Sequence, residues 1–161
     1  MIRVCVMGTI GSGKSFISKL FNCPVFNADK EVNNIYRNHK DCFIKLKKKI
    51  PNFVKSFPIK KNELKNAISA DIKNLKLISS IVHPIVRSNL RIFLQKKKNS
   101  KMIILDIPLL IENKLYLKGD VLIFIKASKS KVIDRIKKRR TYDKKIINKL
   151  NLNQTTLLKK M

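Results

Sequence analysis

The eight residues Gly8-Thr9-Ile10-Gly11-Ser12-Gly13-Lys14-Ser15 constrain this chain more than any others. Glycines at 8, 11 and 13 leave the segment little to pack, and they let its main-chain N–H groups turn inward around one centre. The apolar run RVCVM at 3–7 comes directly before it and reads as a strand, while 14–21 reads as a helix. Inward amides at the positive end of a helix suit a polyphosphate. Lys14 is placed to reach its β- and γ-phosphates, and the Ser15 hydroxyl to ligate Mg²⁺. A phosphate-binding loop made of Gly8, Thr9, Ile10, Gly11, Ser12, Gly13, Lys14, Ser15 and Phe16 follows, with ATP and Mg²⁺ as its ligands.

A strand–loop–helix start needs a parallel partner for its strand, and the rest of the sequence provides candidates. Short apolar runs at 24–26, 102–105 and 121–125 read as three further strands. Helices are predicted over 29–38, 41–49, 62–70 and 71–82, and Pro84 suits the first turn of another that reaches about residue 97. A short helix after Pro108, one over 129–138, and helical stretches at 143–150 and 154–160 complete the reading. Strands alternating with helices imply an α/β fold: a P-loop NTPase-type three-layer α/β/α sandwich around a parallel sheet. Its 161 residues fit one domain, with a helical excursion between the second and third strands.

Charge and cysteine usage narrow the setting. Lys and Arg number 37 against 10 Asp and Glu, a formal charge of +27 that draws polyanions in general. The lysines are spread along the whole chain, and the clusters at 45–49, 96–98 and 137–140 read as solvated helix faces. No obligatory nucleic-acid partner is expected. Cys5, Cys23 and Cys42 form no CxxC pair and no disulfide framework, which suits a reducing compartment. No apolar run approaches the roughly 20 residues of a membrane span, and residues 1–7 lack a signal-peptide layout. A cytoplasmic protein without a membrane partner is expected.

Several side chains are candidates for chemistry. Asp29 follows the second strand, and the carboxyl ends of parallel strands face the ligand crevice. A carboxylate there either accepts the proton of an attacking hydroxyl, holds Mg²⁺ through water, or simply caps the next helix. Asp106 ends the third apolar run, the place of a Mg²⁺-coupled acid, although Pro108 two residues on makes capping the alternative. Arg135 and Arg139 share one helix face, suited to neutralising a transferring phosphoryl group or to facing solvent. His83 is a packing or capping residue or a substrate contact, and His39 reads as a surface residue. No zinc spacing and no Ser-His-Asp order is present.

GTIGSGKS at 8–15, Ala28-Asp29, His83-Pro84 and DIPLLIE at 106–112 together resemble the dephospho-coenzyme A kinase family over nearly the whole chain. The likeness continues through Arg135, Arg139, Gln154 and Lys160. It implies a monomeric ATP-dependent phosphotransferase acting on the ribose 3′-hydroxyl of dephospho-CoA, the last step of coenzyme A synthesis. Asp29 then matches the catalytic base, Lys14 and Ser15 the ATP and Mg²⁺ residues with Asp106 beside them, and Arg135 and Arg139 the arginines of a lid at about 129–145. The excursion from about 38 to 98 matches the substrate region, with Asp29, His83, Asp106 and Leu109 facing the acceptor. Asn27, Met7, Thr9 and Phe16 depart from the family's usual Asp, Thr, Gly and Thr. The family continues past the point where this sequence ends, with another strand, an adenine-contacting loop and a last helix, so the strand at 121–125 is expected at an edge. Two alternatives stay open: another small-molecule or nucleoside kinase, and a nucleotide- or nucleic-acid-binding protein without turnover.

Overall fold

The structure is a computed structural model, and it describes residues 1–8, 11–107 and 117–137. The chain divides into two compact units, one formed by Met1–Asn27 with the chain from Asn99 onward, the other by Ala28–Lys98.

The first unit is the predicted parallel α/β sheet. Its strands β1 (Ile2–Gly8), β2 (Val25–Asn27), β3 (Met102–Asp106) and β4 (Val121–Ile125) lie in the order β2-β3-β1-β4, all parallel. The central strands are apolar without alternation because both of their faces are covered. Val4, Cys5, Val6 and Met7 are buried in succession, as are Ile103, Ile104 and Leu105. Helix α1 (Lys14–Leu20) packs against β1, β2 and β3. Its buried Ser18 donates to Lys14 O at 2.9 Å, so the hydroxyl costs the core nothing unpaired. Among the described strands β4 is at the edge, with Val121 and Leu122 46% and 39% exposed. Helix α6 (Lys129–Lys137) follows it.

The register also builds an ion pair at the amino ends of the strands. Val4 lies opposite Val121, which brings the preceding residues Arg3 and Asp120 together. Arg3 Nε lies 3.0 Å from Asp120 Oδ1 as an ion pair, with the two side chains 13% and 4% exposed. Asp120 Oδ2 accepts from Leu117 N at 2.8 Å and faces Cys5 Sγ at 3.6 Å.

The second unit is wholly helical: α2 (Ala28–Asn38), α3 (Lys40–Lys49), α4 (Lys61–Ala70) and α5 (Lys73–Lys96). His39 caps α3, its Nδ1 accepting from Cys42 N at 3.1 Å, so this residue read as plain surface has a structural task. The predicted break at Pro84 is absent: α5 runs through it as one helix of 24 residues. Ile78, Val82, Val86 and Leu90 are buried at every fourth position on both sides of the proline, and this continuous stripe holds the two halves in line. Pro84 is exposed, so the Ser80 carbonyl that loses its helical N–H partner lies on the side reached by water. An internal proline still costs about 3 kcal/mol relative to alanine. Pro84→Ala should therefore raise the melting temperature by several degrees in a thermal scan, and a fall would show that the ring itself is needed for packing.

Among the described residues no helix is long and apolar enough to cross a membrane.

Candidate active site at the carboxyl ends of the strands

The strand register gathers the predicted loop and one predicted acid at one end of the sheet. Gly8 pairs with Ile125 at the β1–β4 seam, and Asn27 pairs with Asp106 at the β2–β3 seam. Gly8 has φ of +146°, and a Cβ there would stand 2.4 Å from Ile125 O and 2.8 Å from Ser12 Oγ. Only glycine lets the loop leave the strand this close to its neighbour. Gly13, with φ of +103°, caps α1 without any side-chain hydrogen bond, and the first turn of α1 holds no acid. That turn therefore carries no acid of its own to offset its positive end. Lys14 Nζ donates to Gly8 O at 2.8 Å, which folds the ammonium across the loop. The Ser12 hydroxyl is 4% exposed and has no hydrogen-bond partner among the described residues. An unmade bond on a buried hydroxyl beside the glycine turn is what a phosphate oxygen can complete.

Asp106 is the buried acid of this end, 3% exposed. It accepts from Asn27 Nδ2 at 2.6 Å, and the same nitrogen lies 3.5 Å from Ser15 Oγ, a long contact. A hydroxyl and a carboxylate joined through one amide group form a hard-oxygen donor set of the sort Mg²⁺ takes alongside substrate phosphates, so the residues present fit that ion. Asn27 was noted in the sequence only as a substituted acid, and its link to Asp106 depends on strand order that local pattern does not reveal.

Arg135 also reaches the loop. Its Nη1 donates to Ser12 O at 3.0 Å and Gly11 O at 3.3 Å, and a Cβ added at Gly13 would meet it at 3.3 Å. The guanidinium is thus tied to the loop from α6, while the residue as a whole stays exposed. Phe16, in contrast, is 68% exposed on α1. Thr9, Ile10, Leu109, Arg139, Gln154 and Lys160 lie outside the described residues, as do the helices predicted after Pro108 and beyond residue 137.

Two further candidates belong to the helical unit. Asp29 is exposed in the first turn of α2, where its charge favours the helix dipole, and its carbonyl accepts from Asn33 Nδ2 at 2.7 Å. His83 is half-buried in α5. Burial first, and then the Arg87 cation, push its pKa below the usual histidine value and favour the neutral ring. The thiols are not reactive candidates. Burial and the neighbouring Asp120 push Cys5 up to about 12, and burial also raises Cys42 and Cys23.

A glycine loop between β1 and α1, its lysine, and a buried acid closing a parallel strand define a P-loop nucleotide-binding protein of the kinase type. The family model described as CoaE: Dephospho-CoA kinase matches residues 2–161, and the chain belongs to that family. It is 32% identical to the dephospho-CoA kinase of Wolbachia pipientis wMel over 98% of this chain and 83% of that protein. To the enzyme of the same name from Wolbachia sp. subsp. Brugia malayi (strain TRS) it is 36% identical over 82% and 70%. The crystal structure of TT1252 from Thermus thermophilus shares the fold, with a TM-score of 0.71 over 94% of this chain and 79% of that one, at 24% identity.

Proposed function

We infer that the protein is a dephospho-CoA kinase, which transfers the γ-phosphoryl group of ATP to the ribose 3′-hydroxyl of dephospho-CoA and releases CoA and ADP. The observation that carries this is the loop itself: Gly8 pressed against Ile125 O, Lys14 folded across the loop, and Asp106 buried beside Asn27, in a chain of this family.

In this reading the main-chain amides of the loop and Lys14 hold the triphosphate. Phosphoryl transfer needs positioning and charge neutralisation more than covalent help from the protein. Ser15 and Asp106 would hold Mg²⁺, which when bound neutralises charge on the β- and γ-phosphate oxygens. Asp29 takes the proton of the 3′-hydroxyl as its oxygen bonds to the γ-phosphorus and the bond to the ADP oxygen breaks. Arg135 exchanges its loop carbonyls for the transferring group, where a planar guanidinium matches phosphate oxygens. The helical unit, with neutral His83, serves the acceptor, and the protein works as a cytoplasmic monomer.

A coupled ADP-release assay with dephospho-CoA against nucleosides as acceptors tests the reading. ADP formed only with a nucleoside would move the assignment to another kinase, and none with either would leave a binding protein. Asp29→Asn should lower turnover by about 10²–10⁴-fold, the usual span for a general base, with ATP affinity unchanged. An unchanged rate would reduce Asp29 to a helix cap.

A further inference from the structure

Asn27 and Asp106 are register partners on adjacent parallel strands, so their side chains meet whatever else the site contains. A carboxylate accepts hydrogen bonds, which obliges the amide nitrogen of Asn27, and not its oxygen, to face Asp106. The contact is short, 2.6 Å, and the acid is buried, so the carboxamide fixes where Asp106 points. The same nitrogen lies 3.5 Å from the Ser15 hydroxyl on α1, so Asn27 reaches both. It is also neutral. Affinity of an oxygen site for a hard divalent cation rises with the number of anionic ligands. Among the described residues the strand ends offer a single buried carboxylate with a neutral donor beside it.

We propose that Asn27 is a positioning residue that holds Asp106 and the Ser15 hydroxyl in place and, by contributing no charge, makes divalent-cation capture depend on the nucleotide's phosphates. This rests on reading Ser15 and Asp106 as the metal side of a kinase site. The metal then enters with the nucleotide, and the protein alone holds it weakly.

The test titrates wild type, Asn27→Asp and Asn27→Ala with Mn²⁺ alone, following free ion by its EPR signal, then with Mg-ATP by calorimetry. Wild type should show no Mn²⁺ site tighter than about 1 mM, while Asn27→Asp gains one at least about tenfold tighter, the effect of a second carboxylate. Mn²⁺ should raise the melting temperature of Asn27→Asp and not that of wild type, which also reports on the variant if it folds poorly without metal. Asn27→Ala should bind Mn²⁺ no better than wild type, yet need at least about fivefold more Mg²⁺ for half-maximal turnover, as when a residue orienting a ligand is lost. Wild type binding Mn²⁺ as tightly as Asn27→Asp, or Asn27→Ala keeping the wild-type Mg²⁺ requirement, overturns the proposal alone. Failure of wild type to bind Mg-ATP overturns the kinase reading and this proposal with it.

Discussion

Lys14→Ala should lower turnover at least about a thousandfold, the upper range for removing one preorganised donor from developing negative charge. The ammonium lies 2.8 Å from Gly8 O, at the mouth of the loop. Arg135 also reaches the loop, from α6. The hydrogen bond to Gly8 O alone is worth about 1 kcal/mol of stability. ADP release and a thermal melt on the same preparation separate the two effects. Wild-type turnover in the variant would remove the phosphate role from Lys14 and with it the reading of the loop.

The second large effect is on folding. Asp120→Ala deletes one partner of a largely buried pair, which costs up to about 3–5 kcal/mol because the remaining charge is left in a poor environment. It also takes the acceptor from Leu117 N and the charge beside Cys5. For a chain of this size the melting temperature should fall by about 10 °C. Asp120→Asn, which keeps an acceptor for Leu117 N, should lose less. A melting temperature within about 1 °C of wild type in the alanine variant would show that the pair is no stronger than a surface one. ATP affinity below the new melting point should be unchanged, since Asp120 sits at the amino ends of the strands, away from the loop.

These two residues also show what could be read from sequence. Lys14 was legible because the chemistry of a phosphate loop is local: strand, glycines, lysine and hydroxyl follow one another in the chain. The four strands were legible for the same reason, as unbroken runs of β-branched and apolar residues. Asp120 and Arg3 carried no such signal, for only the pairing of Val4 with Val121 makes them neighbours. Asn27 and Asp106 are the same case at the other end of the sheet. The error at Pro84 is of a different kind. Proline's local preference was weighed correctly, but the spacing of Ile78, Val82, Val86 and Leu90 across it outweighs that preference once the stripe is buried.

The strand order β2-β3-β1-β4 has a consequence for a chain still being made. β1 emerges early, yet both of its neighbours, β3 and β4, come after residue 100. At about 5–20 residues per second, an apolar strand waits roughly 5–20 s for its first partner. The helices of the second unit are encoded in that interval and close mostly short loops, so they can form while β1 waits. A ribosome stalled short of residue 106 therefore carries the helices and no grip on phosphate, with a sticky strand exposed to chaperones and to other nascent chains.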